Sequence, residues 1–382
     1  MGFHEFSSPY DWSRIAAYKR TAKAAFGGMI DLSVGSPVDP VPDSVRKALA
    51  VAANDPNAYG YPATAGTADL RAAIAEWFSA ARNVDLQAIH ADVVPTVGSK
   101  EGVALMASLL HFGEDDVVVQ PKVSYPTYEI GTQLAGAQVL KVDDVADVAS
   151  WRNVPGVKAV WVNSPCNPTG EVYSAERMAG IAAAAREIGA VVLSDECYAL
   201  MQWRGATNSA DDDPLQSTPC ALRSDVCAGS AEGVLVLYSL SKQSNMAGYR
   251  TAFIAGDESL IASMSAYRKQ IGQIIPGPAQ AAMAAGLRDL ESVKVQHARY
   301  RERLGVLVSA LRAYGYCTDM PDGALYVWVR AKSGDCWTDM EQLAKIGIIA
   351  SPGEFYGAPE CLRFSATASD EAIASAAERL AR

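Results

Sequence analysis

The chain predicts an α/β fold: a large domain with a mostly parallel sheet covered by helices, followed by a smaller α/β domain. Three observations carry this reading. Between about residues 65 and 275, short apolar runs alternate with helix-length stretches, the pattern of strands joined by helical crossovers. Pro276-Gly-Pro278 then forms a stiff boundary, beyond which a long helical region and three short apolar runs follow. The residues able to do chemistry fall just after apolar runs, and open α/β sheets bind ligands outside the carboxyl ends of their strands. The expected division is an N-terminal segment 1–40 packing with the small domain, a large domain 41–275 and a small domain 276–382.

The elements follow in order. Trp12 to Phe26 is a short amphipathic stretch, and Met29–Pro37 alternates like a strand before breaking at Gly35 and Pro37. Asp43 is expected to cap a helix Ser44–Ala53, and Thr67 a helix running to Ala81. The turn-rich loop between them, Tyr59 to Gly66, carries Tyr61, which on residue type alone reads as a packing aromatic. Val93–Val97 reads as a strand that turns at Gly98-Ser99-Lys100 into the apolar helix Val103–Leu110. Such a turn points free backbone N–H groups and a helix dipole at one spot, although Gly-Ser before a helix also serves as a plain cap. The Gly-x4-Gly-Lys spacing of a nucleotide-binding P-loop is absent.

Asp116–Pro121 is the next strand, ending before Ser124-Tyr-Pro-Thr-Tyr128; either tyrosine suits stacking on a planar ring or packing in a turn. Val157–Val162 runs into Asn163-Ser-Pro-Cys-Asn-Pro-Thr-Gly170, where two prolines stiffen the backbone and present Asn167. Ser174 caps a helix to Ile188, which stops at Gly189. Val191–Tyr198 is a buried strand ending in Asp195, a carboxylate that is costly to bury unless a cation or strong donor meets it. Residues 202–231 read as an irregular acidic excursion. Past Pro278 come a helical region from Gln280 to Tyr314, strands Ala324–Val329, Ile348–Ala350 and Leu362–Ser365, and a helix Glu371–Ala381.

The stretch that organises the rest is Ser239-Leu-Ser-Lys-Gln-Ser-Asn-Met-Ala-Gly-Tyr-Arg250, directly after the apolar strand Val234–Tyr238. Lys242 is placed to form a Schiff base with an aldehyde, while Ser239 and Arg250 suit a phosphate, the guanidinium clamping two oxygens. A cofactor that needs both is pyridoxal phosphate. A single lysine in a loop, taken alone, reads more readily as an ordinary solvated one; the joint placement of Gly98, Ser99, Tyr125, Asn167, Asp195, Tyr198, Ser239 and Lys242 after strands is what argues otherwise.

Composition narrows the function classes. The chain has 382 residues, 49% apolar and 20% charged, with a formal charge of −10. That balance is ordinary for a globular protein and offers no basic patch for nucleic acid. The N-terminus lacks a basic region before an apolar core, and no apolar run is long enough to cross a bilayer. Seven scattered cysteines without Cys-x-x-Cys indicate neither a disulfide framework nor a zinc site, and suggest reduced thiols in the cytoplasm. None of the four histidines sits in a motif, so no metal site is expected.

Taken together, Gly-Ser-Lys100, Asn167-Pro-Thr-Gly, Asp195-x-x-Tyr198, Ser239-x-Ser-Lys242-x7-Arg250 and a late Arg363 resemble the class I/II aminotransferases of pyridoxal-phosphate fold type I, over about residues 28–380. In finer detail Asp31–Pro40, Gly60–Gly66, Gly98–Glu101 and Ser241–Arg250 are similar to the actinobacterial succinyldiaminopimelate transaminases. The resemblance implies that Lys242 binds the cofactor and shuttles a proton, and that Asp195 pairs with the pyridinium nitrogen. It implies that Asn167 and Tyr198 hydrogen-bond the ring oxygen, and that Ser99, Ser239 and Arg250, with the backbone at Gly98 and Lys100, hold the phosphate. Tyr125 is expected to stack on the ring, with Tyr128 the other candidate. Tyr61 would reach the phosphate of a partner subunit, which implies a homodimer. Arg363 would clamp the substrate α-carboxylate beside Asn167, and Gly35 would close over the substrate. The implied reaction transfers an amino group between glutamate and a keto acid, N-succinyl-2-amino-6-oxopimelate for the narrower family, in the diaminopimelate route to lysine. Lys100, Lys122 and Arg20 are candidates for its distal carboxylates. The rivals are an aspartate or aromatic aminotransferase, a β-lyase using the same cofactor, and an aminotransferase-like regulator domain, which would need a DNA-binding extension. A nicotinamide dehydrogenase is disfavoured, because no Gly-x-Gly-x-x-Gly follows a strand.

Overall fold

Twelve strands organise the described residues. The computed structural model describes residues 11–56, 58–203 and 218–382. In chain order the strands are β1 (Ile30–Asp31), β2 (Ala91–Val97), β3 (Val117–Pro121), β4 (Gln138–Val142), β5 (Val157–Asn163), β6 (Val191–Asp195), β7 (Val234–Ser239), β8 (Thr251–Asp257), β9 (Tyr326–Arg330), β10 (Ile348–Ile349), β11 (Ser351–Pro352) and β12 (Cys361–Ser365). Seven of them form one sheet in the order β2-β8-β7-β6-β5-β3-β4. The neighbours from β7 to β4 are parallel, and β8 runs antiparallel to both β2 and β7.

The interior strands are apolar on both sides because helices cover both faces. Successive residues of a strand point to opposite faces. Val234, Val236 and Tyr238 of β7 accordingly join one core, with helices Ala68–Arg82, Ala175–Glu187 and Gly277–Arg288. Leu235 and Leu237 join the opposite core, with helices Ser99–Leu109 and Glu258–Gln270. This two-sided burial is why the parallel strands read as unbroken apolar runs. A third core gathers the C-terminal strands, the helices Leu290–Ala313, Cys336–Lys345 and Asp370–Leu380, and residues Ile15, Ala22, Ile30 and Leu32 of the N-terminal stretch. There β1 pairs in parallel with β10, and β12 lies antiparallel between β11 and β9.

Local chemistry explains most helix starts. Thr67 and Ser174 accept from the backbone N–H groups of Leu70 and Arg177, as their sequence positions predict. Asp43 is a correction. Pro42 occupies the cap position, and Asp43 instead pairs with Arg46 within the first turn, where its charge still suits the helix dipole. The expected continuous helix 280–314 is two helices, because Asp289 leaves the helical region and caps the second by accepting from Ser292 N–H. The strand expected from Ala324 begins at Tyr326, since Ala324 has a positive φ of 61°. The edge strand β4, which alternates weakly and is partly exposed, gave no usable sequence signal. Within the expected 202–231 excursion, residues 204–217 lie outside the described residues, and Ser224–Cys227 form a helical turn.

Candidate active site

A cavity of about 260 Å³ opens at the carboxyl edge of the seven-stranded sheet. Its wall includes Gly35, Ser99, Lys100, Tyr125, Asn167, Asp195, Tyr198, Ser239, Lys242, Arg250 and Arg363. Eleven of the thirteen residues expected from sequence therefore meet at one place. Gly98 adjoins it through Arg250, whereas Tyr61 is fully exposed on a separate cleft beside Arg71 and Asp92. Of the candidates for distal carboxylates only Lys100 reaches the cavity; Lys122 faces Asp143 at 2.8 Å, and Arg20 is exposed on the N-terminal helix.

Lys242 sits in a single turn, Leu240–Gln243, that Ser239 caps by accepting from Ser241 N–H at 3.1 Å. Its Nζ donates to the Gly35 carbonyl. Burial disfavours the ammonium and lowers the lysine pKa, and the nearby Arg363 and Arg250 act in the same direction. That is the adjustment an amine needs to act as nucleophile and base. Arg250 holds a left-handed backbone, with its guanidinium bound to the Ala247 carbonyl at 2.8 Å and laid against Gly98. The φ of +80° there favours glycine, and a Cβ on Gly98 would push aside the end of the Arg250 side chain.

Asp195 ends β6 and is buried. It accepts from the Tyr128 hydroxyl at 2.8 Å and from Cys197 N–H at 3.1 Å. Burial raises its pKa despite both donors, and no cation among the described residues pairs with it. A buried carboxylate facing a cavity in this state suits a protonated pyridine nitrogen. With Lys242 for an aldehyde and Ser99, Ser239 and Arg250 for a phosphate, the donor set fits pyridoxal phosphate.

The same contacts decide between the two tyrosines. Tyr128 is buried, stacked on Trp161 and bonded to Asp195, so it braces the carboxylate and presents no face to the cavity. Tyr125 lines the cavity with its ring edge-on to Tyr128. Three further residues had no sequence signal strong enough to single them out. Asn163 donates to the Asp195 carbonyl at 2.9 Å and accepts from Asn167 N–H at 2.8 Å, tying two loops together. Tyr326 pairs its hydroxyl with that of Tyr198, and Trp12 closes one side of the wall. On the substrate side, Arg363 donates to Asn167 Oδ1 at 2.7 Å and to the Ser33 carbonyl at 2.8 Å, and its guanidinium lies 3.9 Å from the Tyr326 ring centre.

A half-buried lysine, a buried carboxylate and a buried arginine around one cavity at the edge of a mostly parallel sheet define a pyridoxal-phosphate enzyme of fold type I. The chain belongs to the aminotransferase class I and II family, whose model matches residues 27–380. It is 39% identical to the 4-dedimethylamino-4-oxo-anhydrotetracycline transaminase of Streptomyces rimosus, covering 97% of this chain and 98% of that protein. It is 30% identical to an LL-diaminopimelate aminotransferase of Dehalococcoides mccartyi, covering 98% of this chain and 96% of that protein. Among solved structures it resembles one named a probable N-succinyldiaminopimelate aminotransferase from Thermus thermophilus, at 26% identity and a TM-score of 0.84 over 97% of this chain and 99% of that one. The protein is a pyridoxal-phosphate-dependent aminotransferase acting on amino acids and keto acids. No described helix is long and apolar enough to cross a membrane.

Proposed function

We propose that this aminotransferase moves an amino group between glutamate and N-succinyl-2-amino-6-oxopimelate, in the cytoplasm, as part of diaminopimelate and lysine synthesis. The observation that carries the amino-acid half is Arg363, buried and oriented by Asn167 and Ser33, with its guanidinium facing the cavity that holds Lys242. Resemblance to the diaminopimelate and succinyldiaminopimelate aminotransferases supports the choice of keto acid.

Pyridoxal phosphate, when bound, supplies an aldehyde for the substrate amine and a ring that withdraws electrons from its α-carbon. Lys242 Nζ would hold that aldehyde and would move a proton at the substrate α-carbon, and Asp195 would pair with the pyridine nitrogen. Asn167 and Tyr198 would donate to the ring oxygen, Tyr125 would cover the ring face, and Ser99, Ser239 and Arg250 would hold the phosphate with the N–H groups at Gly98 and Lys100. Arg363 grips the α-carboxylate in a two-point clamp and Gly35 closes over the substrate. The large sheet with its flanking helices forms the cofactor-binding domain, which extends past the boundary expected at 276 because helix Gly277–Arg288 packs into its core, and the later C-terminal elements with the N-terminal stretch form the smaller one. The active form is a homodimer, in which Tyr61, exposed in the single chain, reaches the partner's phosphate site.

The deciding experiment is the visible absorbance of the holoenzyme with and without glutamate, followed by amino transfer to a panel of keto acids. A band that glutamate removes, that is absent in Lys242→Ala, and that N-succinyl-2-amino-6-oxopimelate restores faster than other acceptors supports the proposal. Restoration only by oxaloacetate or aromatic keto acids would replace the substrate, and a band unmoved by any amino donor would overturn glutamate as the donor.

A further inference from the structure

Tyr198 and Tyr326 are 128 residues apart in sequence, yet their hydroxyl oxygens lie 2.6 Å apart with both side chains buried. Two phenols at that distance share one hydrogen, so one donates and the other accepts. Tyr326 also carries the Arg363 guanidinium 3.9 Å above its ring, a cation–π contact shielded from water. A third contact comes from below: a Cβ built on Gly35 would overlap Tyr326 Oη, so the glycine loop whose carbonyl takes Lys242 Nζ closes directly on this hydroxyl. One tyrosine thus touches a residue at the cofactor ring oxygen, the carboxylate clamp and the loop over the substrate.

We propose that Tyr326 is a positioning residue: its hydroxyl donates to Tyr198 Oη, leaving the Tyr198 proton for the cofactor ring oxygen, while its ring seats Arg363 for the α-carboxylate. The inference rests on the roles proposed above for Tyr198 and Arg363 and adds the residue that links them. The direction of donation follows from the single hydrogen of Tyr198: if that hydrogen goes to the cofactor ring oxygen, as the role proposed above has it, the hydrogen between the two phenols comes from Tyr326. The titratable or charged groups facing the pair are Arg363, Lys242, Cys197 and Tyr300. Tyr198 is left accepting from Tyr326 and free to donate once, so the two bonds run in series toward the ring oxygen.

The two functions of Tyr326 separate by substitution. Tyr326→Phe keeps the ring and removes the hydroxyl; Tyr326→Leu removes both. The readouts are the pH titration of the holoenzyme's visible band and the split between kcat and KM for glutamate. Tyr198→Phe serves as the reference, because losing its donor leaves more charge on the ring oxygen and moves the titration to higher pH. Tyr326→Phe is expected to move the titration in the same direction by about half to one pH unit, the size of one ordinary hydrogen bond, with KM for glutamate within about twofold of wild type. Tyr326→Leu is expected to add a rise of about tenfold in KM from the unseated Arg363. If Tyr198→Phe moves the titration and Tyr326→Phe does not, the donation is refuted while the site assignment stands. If Phe and Leu at this position raise KM equally, the ring does not seat Arg363. A wild-type band with no response to glutamate, or a titration unmoved in Tyr198→Phe, would instead overturn the underlying reading and this inference with it.

Discussion

Tyr128 donates its hydroxyl to Asp195 across 2.8 Å, and both side chains are buried. The bond supplies one of the two donors on a carboxylate that burial would otherwise push toward neutrality. An ionised Asp195 is what a protonated pyridine requires, so with Asp195 in its proposed role Tyr128 would contribute to cofactor binding without facing the cofactor. Tyr128→Phe keeps the stacking on Trp161 and removes the donor. The cofactor dissociation constant is expected to rise by about tenfold or more, the worth of one hydrogen bond to a charged group. Equilibrium dialysis against pyridoxal phosphate reads this directly, and an unchanged constant would mean that Cys197 N–H alone keeps the carboxylate ionised.

Gly98 and Arg250 are joined just as tightly. An alanine at Gly98 adds about 1–3 kcal/mol of strain, because φ of 80° with ψ of 155° is a conformation essentially only glycine adopts, and it pushes the Arg250 guanidinium aside. Gly98→Ala is therefore expected to lose cofactor on dialysis and regain it only at high pyridoxal phosphate, with a near-wild-type far-ultraviolet circular dichroism spectrum. Retention equal to wild type would show that Arg250 does not serve the phosphate from this position.

Arg82 and Glu196 form a fully buried ion pair at 2.9 Å, next in sequence to Asp195. Glu196 also accepts from Ser194 Oγ and Ala221 N–H, and Arg82 donates to Thr218 and to the Pro219 carbonyl, so the pair locks residues 218–221 onto the end of β6. Removing one partner leaves a buried charge without its counterpart. Arg82→Met is expected to destabilise by about 3–5 kcal/mol, and Arg82→Met with Glu196→Leu by clearly less. Urea unfolding monitored by tryptophan fluorescence separates the two; equal losses would assign the effect to packing.

Asp39 anchors the loop that follows Gly35. Its carboxylate takes both terminal nitrogens of Arg303, at 2.7 and 2.8 Å, and Gln296 Nε2 at 2.8 Å. Burial raises the carboxyl, but the Arg303 and Gln296 bonds outweigh it and hold it below the ordinary carboxylate range. A carboxyl depressed on folding adds stability above its unfolded pKa of about 4 and loses it as pH falls through the folded value. The Asp39→Asn protein is therefore expected to melt lower than wild type at pH 7, with the gap narrowing below about pH 4. Parallel melting curves across that range would rule out Asp39 as the group responsible.

Much of this site was legible before any coordinates. Apolar runs ending at Asp195 and Ser239, the prolines flanking Asn167, and the Gly98-Ser99 turn are local signals, written in neighbouring residues by side-chain alternation and turn chemistry. They located the strands, and the rule that ligands sit at carboxyl ends brought Lys242, Asp195 and Asn167 to one edge. The misread elements have local causes as well: Asp289 and Ala324 leave regular geometry at single residues, where periodicity averages over several.

Sequence by itself singled out Lys242 and Asp195, which end or follow apolar runs, and through the family resemblance Arg363, because these signals lie in neighbouring residues. Tertiary structure alone decided that Tyr128 serves Asp195 rather than the ring face, that Tyr198 meets Tyr326, and that Arg363 lies against Asn167 and Tyr326. Those contacts span 67, 128 and 196 residues. They arise from the order β2-β8-β7-β6-β5-β3-β4 and from the C-terminal strands folding over that edge, a long-range arrangement set by burial of whole faces and not by any local stretch of chain.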